Sequence, residues 1–433
     1  MKSRRPQITI LVANLPAERD RRVIRECLTL EANGYAVTVI APRGDKSLRI
    51  LPGSRATRLR PYPVIVYGSG VVSFAGEFVW SFLCIAFRLV GELLRGRAHA
   101  VQVCNPPDIY WPLAVLFRAL GRPWVFDHHD LCPEIYATRS GESHNRWVFR
   151  TLGAFEWFTL RSATAVIATN ESFRDNALRR GVRPEKVMVV RNGPSAAEMA
   201  PSSGEPGDRD TITPVHKIVY LGVIGPQDNV EGAVLAAEEL RRLRSGNDWR
   251  MVIAGDGENL PVLAKLVTDR GLGDVVEFSG WLDVTAVDAL LRNATVAIQP
   301  DLPTRMNHLS TMAKTVEYLA RGVPVVAADL VETRRSAGEA GVYVPSGAPI
   351  EFARAINALL DDPEARQRMR SEGLSRFAGA LSWEHQAEGY ARLWNRLLAR
   401  RLARRTEAGA SSDAAIIGDV DLAAPDLDTG DRP

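Results

Sequence analysis

Cysteine is scarce in this chain: Cys27, Cys84, Cys104 and Cys132 are widely spaced among 433 residues, with no C-x-x-C pair and no histidine ladder beside them. That excludes a disulfide framework and a structural zinc site, and it fits a reducing compartment. Charge of one sign is also missing, since the net charge is only +3; no basic surplus is available for gripping RNA or DNA. Long apolar runs are absent as well. The most hydrophobic stretch, EFVWSFLCIAFRLVGELLRGR from Glu77 to Arg97, is broken by Arg88 and Glu92, well short of the roughly 20 apolar residues that a bilayer span requires. The N-terminal apolar run ITILVA reads as a first strand: it is about six residues long, with no small-residue cleavage site after it, against roughly 7–15 in a secretory signal. Finally, no strand is followed by G-x-G-x-x-G and no Walker A lysine motif occurs, so neither a nicotinamide site nor a P-loop is supported.

What is present is the composition of a globular enzyme, 46% hydrophobic and 24% charged, in a chain long enough for two cores. From Gln7 to Val190 the runs ITILVA, AVTVIA, AVQVC, PWVFD, TAVIAT and KVMVVR alternate with amphipathic stretches. Continuous Val/Ile-rich runs separated by helices predict a parallel sheet buried on both faces. A Pro/Gly/Ser/Asp-rich linker follows, and the alternation restarts with HKIVYLG, WRMVIAG, VVEFSG, ATVAIQP, VPVVAAD and GVYVP. The expected organisation is an α/β chain with two Rossmann-like, doubly wound domains, at 1–195 and 215–382, joined by a linker at 196–214. A helix at 383–405 follows, with Arg392, Arg396 and Arg400 on one face, and then a disordered tail at 406–433.

Ligands of doubly wound sheets bind outside the carboxyl ends of the strands, so the residues after each strand are the candidates. In the first half these are Asn14, Asp20, Arg21 and Arg22, then Asn105 and Asp108, then the cluster His128, His129, Asp130 and Glu134, and finally Asn170, Asn192 and Gly193. Turn propensity or helix capping accounts for most of them. Two adjacent histidines ending a buried strand have little turn propensity; one of them is expected to act as an acid, a base or a phosphate donor, the alternative being a satisfied core histidine. In the second half the candidates are Gly222, the turn Gly255, Asp256 and Gly257, and then Trp281 and Leu282. The stretch STMAKTVEYLARGVPVVAADL, starting at Ser310, adds Ser310, Thr311, Met312, Lys314 and Glu317. With Ser310 or Thr311 as N-cap, the helix start favours an anion, Lys314 reaches a phosphate, and Glu317 accepts from vicinal hydroxyls. Phosphate plus ribose is a nucleotide; an ordinary intrahelical Lys/Glu pair is the alternative.

Read together, these segments resemble glycosyltransferase family 4, the retaining GT-B enzymes, and most closely a subgroup associated with bacterial exopolysaccharide and O-antigen synthesis. Besides the Ser310 stretch, the resemblance runs through ANLPAERDRRVIREC, CNPPDIYWPLA, FDHHDLCPEIY, IATNESFRDNALRRGV, VVRNGP, LGVIGPQDNVEGAV, VIAGDGENL, FSGWLD and LSWEHQ, in that order along nearly the whole chain. It implies that Glu317 binds the donor ribose and that Thr311, Met312 and Lys314 hold the diphosphate. The turns at Gly255 and Trp281 lie against the base, and His129 faces the reacting sugar. The Trp383 helix crosses back to the first domain. Three departures stand out: Leu309 occupies the place of the family's first donor-helix glutamate; the Arg and Lys that many members place after the first strand of the second domain are absent, with Val223 and Asp228 nearby instead; and LPAERDRR replaces a Gly-Gly loop, with Asp20, Arg21 and Arg22 expected to read a diphosphate-linked acceptor.

The expected function is transfer of a sugar from a nucleotide diphosphate sugar to a lipid-linked glycan, with retention. His129, Asp130 and Lys314 are expected at the chemistry, with no cofactor. No metal is expected either, because the D-x-D patterns lie in the linker (Asp208/Asp210) and the tail. Other readings are a GT-B nucleotide-sugar epimerase and a non-catalytic, membrane-associated subunit of a glycan assembly. The site of action is expected to be the cytoplasm. The Glu77–Arg97 helix is read either as an interfacial contact with an anionic membrane or as a core helix.

Overall fold

The computed structural model describes residues 5–65, 71–140, 145–199, 215–246, 248–345 and 348–399. The Asp208/Asp210 pattern, Arg400, most of the linker and the tail lie outside the described residues.

The expected runs of the first half become strands β1 (Gln7–Leu11), β2 (Ala36–Ile40), β4 (Ala100–Cys104), β5 (Trp124–His128), β6 (Ala165–Ala168) and β7 (Val187–Val189). A two-residue edge strand, β3 (Arg58–Leu59), joins them without a run of its own. The sheet is parallel in the order β3-β2-β1-β4-β5-β6-β7. The second half forms β8 (His216–Leu221), β9 (Trp249–Ala254), β10 (Val276–Gly280), β11 (Val296–Gln299), β12 (Val325–Ala328) and β13 (Gly341–Val344). Their parallel order is β10-β9-β8-β11-β12-β13. The two-sheet, doubly wound GT-B expectation is met.

The handedness of the crossovers decides what covers each face. From β1 to β2 the chain moves one way across the sheet and from β3 onward the other way, so right-handed connections put their helices on opposite faces. Val23, Cys27 and Leu30 of helix Arg21–Ala32 join the core on one face. On the other, Ile85, Phe117 and Leu160 come from helices Val71–Leu94, Trp111–Ala119 and Arg146–Ser162.

The last helix, 383–399, belongs physically to the first domain. Trp383, Tyr390, Leu393 and Trp394 are buried against β1 and helix Arg21–Ala32. The Trp383 indole donates to Thr29 Oγ1 at 3.0 Å, and the Tyr390 hydroxyl donates to Gln102 Oε1 at 2.7 Å. Chain order therefore runs first domain, second domain, first domain, and the crossings bring the carboxyl ends of both sheets together.

Candidate active site

The first-domain wall is built around the end of β5. Asp127 and His128 are its last two residues, and strand alternation sends their side chains to opposite faces. His128 is fully buried between the rings of Phe126 and Phe173, each with its centroid at 5.1 Å. Burial, with His129 nearby, pulls its pKa down to about 3, so it stays neutral. His129, one residue on, reaches the cleft and places Nε2 2.6 Å from Asp127 Oδ2. Of the two adjacent histidines, then, His128 is the core residue and His129 the candidate.

Asp127 is held on all sides. Arg22 Nε and Nη2 donate to its two oxygens at 3.1 and 2.8 Å, and Gln102 Nε2 donates at 3.2 Å. Burial alone would raise its pKa, but Arg22 and His129 outweigh burial and hold the carboxylate below the usual range. Glu26, beside it, goes the other way: burial and the charge of Asp127 push it up. This corrects the expectation for Arg22. Rather than facing an acceptor diphosphate it is 3% exposed, and it spends its guanidinium on Asp127, Glu26 and the Val190 carbonyl. Asp20 caps its helix, accepting from the N–H groups of Arg22 and Val23, while Arg21 and Asn14 are exposed.

Asn105 holds the histidine loop. Its Oδ1 accepts from the N–H groups of His129 and Asp130 at 2.6 and 3.1 Å, and its Nδ2 donates to Asp130 O at 2.6 Å and to Asp108 Oδ1 at 3.1 Å. Asp108 lies behind it, buried, with its carboxyl pushed up to about 7 by burial and by Glu156. Cys104, Asp127 and His129 bring potential metal-ligand atoms within 4.8 Å of one another. Arg22 already donates to both oxygens of Asp127, so here the trio is tied into a hydrogen-bond network.

The second-domain wall starts with two short helices where one was expected. Helix Arg305–Leu309 ends at Ser310, whose Oγ donates back to Met306 O at 2.8 Å. The N-cap of helix Ala313–Ala320 is Met312, without a side-chain cap bond, rather than Ser310 or Thr311. Lys314 is 9% exposed and lies under the β8 turn, its Nζ 3.0 Å from both Asp228 Oδ1 and Asp301 Oδ1. Burial works to lower its pKa, but the two carboxylates outweigh that and keep the ammonium charged. Glu317 is partly exposed and binds Arg321 Nη1 at 2.6 Å, so the two residues do not form the simple Lys/Glu pair.

The glycines of this wall serve backbone packing. A Cβ on Gly255 would lie 1.8 Å from Gly222 O, and one on Gly257 would lie 2.4 Å from Ile224 O. Gly222 and Gly255 also hold φ values of +156° and +148°, where other residues are strained. The β8 and β9 turns therefore press on each other. Trp281 stands 76% exposed beyond them, next to a partly buried Leu282, and Asp256 is exposed.

A cavity of about 250 Å³ separates the walls, lined by His129, Asp130, Asn170 and Asn192 on one side and by Ser310, Thr311 and Ala313 on the other. Asn170 spans it. Its Oδ1 caps helix Glu171–Arg179 through the Phe173 N–H, while its Nδ2 donates to Leu309 O and Thr311 Oγ1 at 2.9 and 3.1 Å. Leu309 packs on Leu131 and Phe173, so the place of the family glutamate is an apolar plug between the domains. Sequence reasoning missed the other bridges. Buried Glu332 accepts from Ser172 N and Oγ at 3.0 and 2.6 Å, Arg191 contacts Glu171 and Ser336, and Arg305 lies 3.1 Å from Glu134. It missed Asp127 as well; the available signal was an acid directly after the apolar residues Trp124, Val125 and Phe126 of a buried strand.

Comparison with known proteins agrees with this architecture. Residues 211–376 match the model of glycosyl transferases group 1, and residues 21–193 that of the glycosyl transferase 4-like domain. The chain is 28% identical over 352 residues to alpha-D-kanosaminyltransferase of Streptomyces kanamyceticus, spanning 77% of this chain and 87% of that one. It shares its fold with sucrose-phosphate synthase of Thermosynechococcus elongatus, at a TM-score of 0.71 and 17% identity over 92% and 100% of the two chains. It shares it also with the Anabaena protein HepE in complex with UDP-glucose, at a TM-score of 0.63 and 16% identity over 90% and 99%.

Proposed function

Because its two halves are the domains of a family 4-type GT-B glycosyltransferase, we propose that this chain moves a sugar from a nucleotide diphosphate sugar to a lipid-linked glycan, with retention, in cell-surface polysaccharide synthesis on the cytoplasmic side of the membrane. The observation that carries the reading is the convergence of His129 and the Ser310–Ala313 turn on one interdomain cavity. A sugar placed there has an imidazole on one side and, on the other, a helix start without a side-chain cap, where a diphosphate is favoured. The UDP-glucose complex of the Anabaena protein supports the choice of donor class.

In this reading the acceptor hydroxyl attacks the anomeric carbon on the face from which the diphosphate leaves. The carbon–oxygen bond to the diphosphate breaks as the new glycosidic bond forms, and the acceptor proton passes to a diphosphate oxygen. Negative charge grows on the leaving group, so donors at the helix start stabilise the transition state more than the substrate. Lys314 joins them when a donor phosphate replaces Asp228, an exchange that keeps the ammonium balanced. Arg321 takes one oxygen of Glu317, and the other is assigned to the ribose hydroxyls. No metal enters this scheme, and chelation is expected to leave the rate unchanged.

The test is a panel of nucleotide sugars with and without a lipid-linked acceptor, read by nucleotide release and by the anomeric coupling of the product. Acceptor-dependent release with retained configuration supports the proposal. Release without acceptor favours an epimerase, inversion overturns the stereochemistry, and inactivity with every donor favours the non-catalytic reading.

A further inference from the structure

Exposed apolar side chains are unevenly distributed. Of the 22 large hydrophobic residues exposed among the described residues, 11 lie on or cap just three helices, Val71–Leu94, Trp111–Ala119 and Arg146–Ser162. All three cover the same face of the first sheet. On the first helix the exposed positions are Val79, Leu83, Phe87, Val90 and Leu94, with Phe87 and Leu94 80% and 82% exposed. At 3.6 residues per turn they fall within an arc of about 80°, opposite the buried Cys84, Ile85 and Leu89. The second helix adds Val115, Leu116 and Leu120, and the third adds Trp147, Trp157 and Phe158. Trp111 stacks on Phe158 at 5.0 Å and Phe82 on Tyr110 at 5.9 Å, so the three helices form one continuous surface.

The charges on this surface are mostly positive. Arg150 lies over the Trp147 ring at 5.6 Å and Arg161 over the Trp157 ring at 5.4 Å. Of the acids on these helices, Glu92 is buried against Arg60 and Glu156 is buried against Arg180, which leaves Glu77. Beside Phe87 and Leu94 opens a cavity of about 720 Å³ lined by Arg43, Lys46, Arg49, Arg60, Arg88 and Arg95. It is larger than the interdomain cavity and plays no part in the chemistry above.

We propose that this three-helix face docks on an anionic lipid bilayer. The apolar arc and the tryptophans enter the boundary between headgroups and acyl chains, where an amphipathic helix lies in the plane of the membrane and Trp anchors it. The arginine-lined groove takes anionic headgroups, to which cations close to such a surface are attracted. A second copy of the chain fits poorly, because a two-fold contact of this face would set arginine against arginine. The helices themselves do not span: none among the described residues is long and apolar enough to cross a membrane. The proposal does not depend on what the cleft transfers.

The experiment is cosedimentation of the full chain with phosphatidylglycerol/phosphatidylcholine vesicles and with pure phosphatidylcholine vesicles, at low and high salt. The parent is expected to pellet with the anionic vesicles only, about tenfold less at high salt. Phe87→Asp and Arg88→Glu are each expected to cut that partition about tenfold without lowering the melting temperature, and Trp147 emission is expected to shift to the blue on binding, with Trp147→Phe as control. A parent that stays in the supernatant, or variants that pellet like the parent, would overturn the proposal. So would a dimer in sedimentation equilibrium that Phe87→Asp dissociates, which would assign the face to a second copy. Glycosyl transfer to a water-soluble acceptor is read separately and is expected to survive in both variants.

Discussion

His129 Nε2 lies 2.6 Å from Asp127 Oδ2, two residues back along the chain, and Arg22 grips the same carboxylate from inside the domain. The imidazole is thereby fixed with one nitrogen on Asp127 at the wall of the cleft. In the proposed scheme His129 positions the reacting sugar rather than moving its proton, so replacing it by Gln is expected to lower transfer about a hundredfold with stability changed by less than about 1 kcal/mol. Asp127→Asn leaves the buried Arg22 guanidinium with Glu26 and the Val190 carbonyl but without its main carboxylate, and is expected to cost about 1–3 kcal/mol. Turnover and urea melts on both variants check this; a His129→Gln protein as active as the parent removes the residue from the reaction.

Protonation of His128 is expected to show in stability. Its folded pKa, about 3, lies below its ordinary 6.5, so between those values the unfolded chain binds the proton and the folded chain does not. Stability is therefore complete above about pH 6.5 and falls as the pH drops toward 3, by about 5 kcal/mol at most. His128→Phe is expected to flatten that slope in melts taken across the range, whereas an unchanged slope would assign it to other groups.

Lys314 balances two carboxylates before it serves any ligand. Lys314→Met leaves Asp228 and Asp301 without their cation and is expected to destabilise by about 3–5 kcal/mol; adding Asp301→Asn should recover a large part of that. If donor phosphate takes the place of Asp228, calorimetric titration with a nucleoside diphosphate will show affinity about tenfold weaker in Lys314→Met/Asp301→Asn than in Asp301→Asn alone. Equal affinities would make Lys314 purely structural.

The last helix is part of the first domain's core. Trp394 is fully buried there, and Trp394→Ala is expected to cost about 3–5 kcal/mol. Hydrogen exchange should locate the loss of protection in β1 and β4 rather than in β9 or β12. Loss confined to the second domain would contradict this packing.

The strands, their alternation with helices and the two-sheet plan were legible from residue order, because burial on both faces of a parallel sheet forces runs of Val, Ile and Ala that no surface segment tolerates. Only β3 escaped: two residues at a sheet edge bury too little to impose a pattern. Composition and spacing also located the polar exits, with Asn105, His129, Asn170 and the Ser310 stretch among them. What each exit residue does was decided by tertiary packing. Arg22 has the look of a surface cation until Asp127, 105 positions away, is folded against it. His128 and His129 are chemically identical neighbours, and the strand's register sends one among phenylalanines and the other to the cleft. Lys314 and Glu317 share a helix turn, yet each finds its counter-charge elsewhere. Apolar periodicity is a short-range property that a sequence carries openly. The partner of a buried charge comes from remote segments, and its choice is set only when desolvation makes an unpaired charge intolerable.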